Sequence, residues 1–279
     1  MADTGLVEAF NSSIGTNLSN PYIHVHVLLI SWAENDLGAG IKEEILNLRT
    51  VFERDYDYCC VSFPIPVDGS QQRRLNTEIS NFVEHQSAST DSLIIIYYAG
   101  HCSPNAHGQA QWAAYEEGGP TLSWHVAQQL LFSARGDVLL ILDCCHASHI
   151  TTGHKTDGGR FELIAASAIG AKTPVPGRKS FTRALTRVLK QRVAEGIWSE
   201  SLASELREDS KVTGKPSYQP LGLNTYPSDI NLQKRPSSMT LSGDRQRESG
   251  CNAGEIIRRL GSYRNPAASY CLKRRSRTT

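Results

Sequence analysis

The sequence predicts an α/β sandwich, in which a mostly parallel central sheet of about six strands carries helices on both faces. Five short apolar runs rich in valine, isoleucine and aromatic residues recur between residues 22 and 168, each about as long as a strand buried on both faces. The stretches between these runs repeat apolar residues at helical spacing, as right-handed crossovers between parallel strands require. With 279 residues and a hydrophobic fraction of 39%, the chain is long enough to bury one sizeable core.

The predicted elements up to the fourth strand alternate regularly. The five runs interpreted as strands are YIHVHVLLIS, YCCVSFPI, SLIIIYYA, DVLLILDC and FELIAASA. The first predicted helix has one apolar face, formed by Ile41, Ile45, Leu48, Val51 and Phe52, with Glu43 and Glu44 placed elsewhere. The second helix has its apolar face at Leu75, Ile79, Phe82 and Val83. A third helix is predicted in TLSWHVAQQLLFSARG, with Ser123 as its N-cap and Gly136 as its stop.

After the fifth run the pattern predicts two more helices and a short strand. Ser180 is expected to cap a helix whose apolar stripe is Phe181, Ala184, Leu185, Val188 and Leu189. Trp198, Leu202 and Leu206 indicate another helix, and SDINLQ near residue 230 predicts a last short strand.

Residues suited to catalysis follow two of the predicted strands. In open parallel sheets, ligands bind beyond the carboxyl ends of the strands. The third run leaves through YYAGHC, which puts His101 just past the strand, and the fourth leaves through LDCCHAS, which puts Cys144, Cys145 and His146 just past it. Neighbouring strands would bring these ends together, so that a thiol and an imidazole meet as nucleophilic catalysis by cysteine requires. Gly100, before the histidine, would let the backbone turn sharply.

These two blocks resemble those of metacaspases, the caspase-like peptidases of fungi, plants and protists. IIIYYAGHC resembles the YYSGHG block of the family, and LLILDCCHAS resembles its DSCHSG block. The stretch ELIAASAIGAKTPVPGRKSFTRALTRVL is similar to the strand, loop and helix that follow in the family. The 44 positions between His101 and Cys145 are close to the roughly 50 that separate the caspase histidine and cysteine. The resemblance spans residues 22–232, looks closest to divergent caspase-like domains of filamentous fungi, and implies a caspase-like fold.

The resemblance implies a cysteine-type endopeptidase with a Cys-His dyad, an acyl-enzyme intermediate and a role in programmed cell death. Cys145 would be the nucleophile and His101 the base and acid, while Cys144 takes the variable position beside the nucleophile. Asp143 matches the acid that shapes a pocket for a basic P1 side chain, the residue before the cleaved bond. The backbone N–H groups of Cys102 and Cys145 would form the oxyanion hole. Cys102 stands where the family has glycine, and it would be strained if that position required a positive φ.

We expect no cofactor. Calcium dependence would follow from the resemblance, but Ala168, Ile169 and Gly170 stand where metacaspases carry an acidic element of the P1 pocket and calcium site. Another family acid, on the first helix, would fall near Glu43 or Glu44.

The segment TTGHKTDGGR after the nucleophile predicts a processing site. It is basic and is expected to be exposed, and it offers Lys155 and Arg160 to a protease that cuts after basic residues. Cleavage there would resemble the loop cleavage that activates many caspase relatives.

The resemblance and the composition together predict three segments: an N-terminal extension over residues 1–20, a domain over 21–233 that the resemblance implies is a caspase-like peptidase, and a basic, disordered tail over 234–279. The tail carries eleven Lys or Arg against three acids, a formal charge of +8, whereas the whole chain carries +1 and its first 233 residues therefore about −7. Such a Ser- and Arg-rich end is usually solvated, so we do not expect it to contact nucleic acid.

The protein is expected to be cytoplasmic and to act on protein or peptide substrates. The N-terminal stretch has no signal-like pattern, and no run approaches the roughly 18 apolar residues of a membrane helix. The seven cysteines are odd in number and irregularly spaced, so we expect reduced thiols rather than a disulfide framework.

Two other hypotheses stay open. The chain would serve as a non-catalytic caspase-like module if it acted through its surface in a signalling assembly. It would bind zinc if the following ligands met: His101, Cys102, His107, Cys144, Cys145, His146, His149 and His154. Their spacing lacks the paired C-x₂₋₄-C or H-x₃₋₅-H pattern of structural sites, although Cys145 and His149 stand four residues apart.

Overall fold

The computed structural model describes residues 22–147, 155, 158–167, 176–209, 216–221 and 230–235. The chain divides into two units, Met1–Ser237 and Ser238–Thr279, and the second lies wholly outside the described residues. The predicted extension over residues 1–20 and nearly all of the predicted tail also lie outside them, so both segments stay predictions. None of the described helices is long and apolar enough to cross a membrane.

A six-stranded sheet forms the centre of the described fold. The strands are β1 (His24–Trp32), β2 (Cys59–Ile65), β3 (Ser92–Ala99), β4 (His101–Pro104), β5 (Ala110–Ala113), β6 (Thr121–Ser123), β7 (Asp137–Asp143), β8 (Phe161–Ala165), β9 (Ile197–Trp198), β10 (Ser217–Pro220) and β11 (Asn231–Leu232). The central sheet has the order β10-β8-β7-β3-β1-β2. Its neighbours pair in parallel except β10, which is antiparallel to β8. The five parallel strands coincide with the five apolar runs, so the predicted fold class is confirmed.

Helices cover both faces of this sheet, as predicted. The described α-helices are α1 (Ala39–Thr50), α2 (Gln71–Gln86), α3 (Trp124–Gln129), α4 (Phe181–Arg192) and α5 (Ser199–Glu208). A π-helical turn, Val51–Asp55, continues α1, and a 3₁₀ turn, Leu130–Ser133, continues α3. The apolar faces of α2 and α3 pack on one side of the sheet, and those of α1, α4 and α5 on the other.

Helix starts agree with the sequence at one of two predicted caps. Ser180 caps α4, because its hydroxyl accepts the Arg183 N–H at 3.3 Å. Ser123 precedes α3, but its side chain makes no capping hydrogen bond, and the preceding residues of the predicted helix form strand β6 instead. The short strand predicted near residue 230 is present as β11, which pairs antiparallel with β9.

The order of strands creates a crevice beside β1. The chain passes from β1 to β2 on one side and then crosses back to place β3 on the other side of β1. Ligand sites of open parallel sheets lie at such switch points, outside the carboxyl ends of the strands. The segments that follow β1 and β3 are therefore the first places to look for function.

A small antiparallel sheet, β4-β5-β6, follows β3 at this edge. It is anchored by three stacked aromatic rings. The Tyr98 ring at the end of β3 stacks on Trp112 of β5 with centroids 3.5 Å apart, and Trp112 stacks on Trp124 of α3 at 4.1 Å. All three side chains are buried, so the strand that begins at His101 rests on a rigid base.

Candidate active site

The two predicted catalytic residues leave neighbouring strands at the same edge of the sheet. β3 and β7 are parallel neighbours, and Ala99 lies opposite Asp143 in their register. Just beyond this pair, the Gly100 N–H donates to the Asp143 carbonyl at 3.3 Å. His101 follows directly and opens β4, while Cys145 comes two residues after the end of β7.

Both residues line one cavity of about 160 Å³. It opens at the carboxyl edge of the sheet, on the face covered by α1 and α4, and its lining includes His101, Cys145 and the three acids Glu44, Glu116 and Asp143. A cavity of about 150 Å³ in an engineered protein holds a benzene molecule. The space is therefore of the size that takes one side chain of a bound peptide.

The two adjacent thiols have different surroundings. Cys145 is half-buried and lines the cavity. Cys144 is fully buried in the core on the opposite face of the sheet. Burial, followed by contact with the Cys102 thiol, raises the pKa of Cys144 well above its ordinary value, so Cys144 stays a protonated, weakly nucleophilic thiol at neutral pH. Of the pair, only Cys145 lines the cavity.

The expectation of reduced thiols is wrong at one position. Cys59 forms a disulfide. Cys60, Cys102, Cys144 and Cys145 are not disulfide-bonded, so the expectation is confirmed at these four positions.

His101 is held by a residue that the sequence did not single out. Asp36 lies in the loop between β1 and α1, and its Oδ1 is 2.5 Å from Nε2 of His101. Its other oxygen accepts the Glu116 N–H at 2.8 Å. Partial burial alone would raise the pKa of Asp36, but the hydrogen bonds from Glu116 and His101 outweigh burial and lower it. Asp36 is therefore an ionised carboxylate facing the imidazole at neutral pH.

Asp143 lies at the end of β7 and lines the cavity. Its Oδ2 accepts a hydrogen bond from Thr182 Oγ1 at 2.5 Å, and that hydroxyl also lies 2.5 Å from the Tyr97 hydroxyl. Burial raises the pKa of Asp143 to about 6, although the Thr182 hydrogen bond lowers it, and the nearby Glu44 carboxylate raises it further. A positively charged group bound in the cavity would favour the ionised form of Asp143.

A second acid of the cavity, Glu44, projects from α1. It is only 3% exposed, and its Oε1 accepts hydrogen bonds from Arg183 Nε at 2.9 Å and from the Gly177 N–H at 2.8 Å. Of the two glutamates that the resemblance offered, Glu43 is exposed and Glu44 reaches the cavity. The prediction from helical periodicity that Glu44 lies off the buried face is wrong, because the ion pair with Arg183 compensates the charge that burial would penalise.

The backbone of His101 is fixed by Tyr98. The Tyr98 hydroxyl donates to the His101 carbonyl at 2.9 Å and accepts from Trp32 Nε1 at 3.2 Å. The ring lies so close to Gly100 that a Cβ at that position would come within 2.3 Å of the hydroxyl. The predicted role of Gly100 as a flexible turn is therefore corrected: its φ is not positive, and the glycine is needed for the space that Tyr98 occupies.

The predicted oxyanion hole involves Cys102 and Cys145. Cys102 is buried in β4 and its φ is not positive, so a cysteine fits without backbone strain where metacaspases have glycine. The unusual backbone lies next to Cys145 instead, at His146, which has a φ of 55°. Non-glycine residues in this left-handed region are uncommon and cluster at functional sites.

Lys155 and Arg160 lie at the opposite end of β7 from the cavity. The Arg160 N–H donates to Asp137 Oδ1 at 2.6 Å, and the Lys155 ammonium donates to the Gly136 carbonyl. Both basic residues are half-buried, so at these two positions the expected exposure of the segment is wrong. β7 runs for seven residues from Asp137, and at about 3.3 Å per residue these contacts lie roughly 20 Å from Cys145.

The part of the chain that the structure describes contains no candidate metal site. No three of its His, Cys, Asp or Glu side chains are grouped so that they could hold a metal ion. The zinc candidates His149 and His154 lie outside the described residues, as do the positions Ala168, Ile169 and Gly170 that bear on calcium. The expectation that the protein needs no cofactor stays a prediction.

Comparison with solved structures identifies the fold as caspase-like. The chain is similar to the Drosophila initiator caspase Dronc, with a TM-score of 0.50, 13% sequence identity, and coverage of 74% of this chain and 82% of that one. It is similar to protein GSU0716 from Geobacter sulfurreducens, with a TM-score of 0.56, 12% identity, and coverage of 76% and 98%. Caspase-1 from Spodoptera frugiperda aligns with a TM-score of 0.48, 14% identity, and coverage of 75% and 90%. No family model matches the sequence, and no curated protein matches it.

Proposed function

We propose that the chain is a cysteine endopeptidase of the metacaspase type that acts on protein substrates in the cytoplasm. The observation that carries the proposal is that Cys145 and His101, from the ends of adjacent parallel strands, line the same cavity of a caspase-like fold. A thiol and an imidazole brought to one substrate-sized space are the minimum that cysteine proteolysis needs.

The reaction would proceed through an acyl-enzyme. The Cys145 thiolate adds to the carbonyl carbon of the cleaved bond, and the oxygen that becomes negative is received by the N–H groups of Cys102 and Cys145. His101 then gives a proton to the departing amine as the C–N bond breaks, leaving a thioester. In the second half, His101 takes a proton from water, whose oxygen displaces the Cys145 sulfur and releases the acid product.

The charges around the cavity favour a basic P1 side chain. Three acids line it, and one of them, Glu44, is matched by its ion pair with Arg183. Asp143 also lines the cavity, and burial opposes its ionisation. A lysine or arginine side chain bound beside Asp143 would favour the ionised carboxylate by forming an ion pair with it.

The test compares the two neighbouring cysteines on peptides that differ at P1. Cys145→Ala should abolish cleavage of fluorogenic peptides and remove alkylation at the cavity edge, whereas Cys144→Ala, the matched control, should keep both. Arg and Lys at P1 should be preferred to Gln, Leu and Asp in the same library, measured with and without calcium. Loss of activity in the Cys144 variant alone would reverse the assignment. Alkylation of Cys145 with no peptide cleaved would favour the caspase-like scaffold instead.

Processing at Lys155 or Arg160 would occur between molecules. Both residues lie at the far end of β7, roughly 20 Å from Cys145, so a chain does not reach its own site without local unfolding. Mixing active protein with tagged Cys145→Ala protein should yield tagged fragments, and mass spectrometry would locate the cut. A tagged chain that stays intact, while peptides in the same tube are cleaved, would contradict processing in trans.

A further inference from the structure

We propose that Asp36 positions His101 and selects its tautomer, so that Cys145, His101 and Asp36 work as a triad. The assignment of Cys145 and His101 rests on the proposed peptidase function. The contact between Asp36 and the imidazole stands on the geometry alone.

The tautomer follows from what each atom can do. An ionised carboxylate only accepts hydrogen bonds, and neutral histidine carries one N–H. Because Asp36 Oδ1 lies 2.5 Å from Nε2 of His101, the hydrogen of the neutral ring resides on Nε2. Nδ1 is then the basic nitrogen that takes a proton from the thiol. When the ring is protonated, both nitrogens donate and the same contact becomes an ion pair that stabilises the imidazolium.

The conformation of its loop and a second hydrogen bond position the Asp36 carboxylate. The side-chain oxygen of Asn35 accepts the Leu37 N–H at 3.0 Å, which shapes the loop between β1 and α1. The second carboxylate oxygen of Asp36 accepts the N–H of Glu116, in the turn between β5 and β6, at 2.8 Å. Asp36 thus joins three segments at the crevice beside β1, and its direction toward His101 is set by the fold rather than by the imidazole alone.

The Glu116 contact makes the outcome of one substitution specific. In Asp36→Asn, the amide oxygen would turn to the Glu116 N–H, because two donors cannot face each other. The amide NH₂ would then face Nε2 of His101 and require an acceptor there. The neutral ring would shift its hydrogen to Nδ1, so the nitrogen intended as a base would carry a proton. Asp36→Ala removes the contact without imposing the wrong tautomer.

The decisive measurement is the tautomer of His101, read from the ¹⁵N chemical shifts of labelled protein and assigned by comparison with His101→Gln. Wild type should show the Nε2–H form at pH 8, Asp36→Asn the Nδ1–H form, and Asp36→Ala a mixture. Glu34→Gln is the control, because Glu34 is an exposed acid in the same loop. The Asp36 side chain is 42% exposed, so the asparagine variant is expected to fold. A wild-type tautomer that persists in Asp36→Asn would overturn the proposal.

Activity supplies a second readout. An aspartate-to-asparagine change at the third triad position of serine proteases lowers kcat about 10⁴-fold. A thiol is more acidic than a hydroxyl, so we expect a smaller loss, about 100- to 1000-fold in kcat for Asp36→Asn, with KM nearly unchanged. The pH at which Cys145 becomes half-reactive toward iodoacetamide should also rise in this variant. The other ionisable groups lining the cavity, Glu44 of α1, Tyr97 of β3, Asp143 of β7 and Glu116, are unaltered in the comparison.

The two proposals fail separately. If no peptide is cleaved but the tautomer and the alkylation profile depend on Asp36, the triad geometry stands and the peptidase function falls. If peptides are cleaved by Cys145 and Asp36→Asn matches Glu34→Gln in rate, tautomer and pH profile, the role of Asp36 falls and the peptidase function stands.

Discussion

Replacing Asp143 by asparagine should remove the pH dependence of the preference for a basic P1 residue. Asparagine keeps the shape of the side chain and an oxygen that accepts from Thr182, whose hydroxyl lies 2.5 Å from the carboxylate. What the substitution removes is the charge. Because the pKa of Asp143 is raised to about 6, that charge is gained and lost within the pH range in which peptidases are assayed.

The magnitude follows from the same pKa. With a value of about 6, roughly one tenth of Asp143 is ionised at pH 5 and nine tenths at pH 7. A unit charge about 4 Å away in a partly solvated site contributes on the order of 2 to 4 kcal/mol. Arginine at P1 should therefore be preferred to its uncharged analogue citrulline by about 30- to 1000-fold at pH 7, and this preference should shrink about tenfold at pH 5.

The assay is the ratio of kcat/KM for two peptides that differ in arginine or citrulline at P1, measured from pH 5 to 8. The ratio cancels the titration of the dyad, which both substrates share, and kcat/KM reports the groups of the free enzyme. Wild type should show a ratio that rises with a midpoint near pH 6, and Asp143→Asn a low, flat ratio. Glu43→Gln, an exposed acid on α1, should match wild type.

Stability gives a test that does not require catalysis. A raised pKa means that folding favours the protonated acid, so the stabilisation is present below the unfolded value and is lost as pH rises through the folded one. The shift from 3.8 to about 6 corresponds to a loss of up to about 3 kcal/mol between pH 4 and pH 7, which Asp143→Asn should not show in urea denaturation. If the substrate ratio keeps its pH dependence in Asp143→Asn, the preference for a basic P1 residue does not come from the charge of Asp143.

Three further substitutions test how the fold holds the site, each measured by guanidinium denaturation. Tyr98→Phe leaves the buried Trp32 indole and the His101 carbonyl without the hydroxyl they share, and should cost about 1 to 3 kcal/mol. Gly100→Ala places a Cβ 2.3 Å from that hydroxyl and should cost about as much, but less when combined with Tyr98→Phe than the two losses added. His146→Gly should be more stable than His146→Ala by about 1 kcal/mol, because φ is 55° there; equal stabilities would refute the strained turn.

The central sheet could be predicted because a strand that is buried on both faces needs apolar residues at nearly every position. Each parallel strand is a continuous apolar run, and every residue of β3 from Ser92 to Ala99 is buried. The position of His101 and Cys145 at the carboxyl edge of the sheet could be predicted for the same reason, since both residues directly follow such runs. The starts of helices were harder to predict. Ser123 is a residue type that often caps helices, but its β-pairing with Gln111 of β5 places it in a strand.

Contacts between distant loops could not be predicted. Asp36 contacts His101 across 65 positions of sequence, and Glu44 contacts Arg183 across 139. No periodic pattern in the sequence predicts either contact. Glu44 even contradicts the periodicity, because an acid is placed on a buried face only when a partner from another element compensates it. Only the resemblance to metacaspases pointed to this part of α1, and it did not separate Glu43 from Glu44.

The choice between the two adjacent thiols follows from the pleat of β7. Side chains along a strand alternate between the two faces of the sheet. Leu140 and Leu142 belong to the core under α2 and α3, and Cys144 continues that series into the same core. Asp143 belongs to the other series, and Cys145 rejoins it at the cavity under α1 and α4. Two cysteines in succession therefore do not both face the cavity, whereas Asp143, two residues before Cys145, faces the same cavity as Cys145.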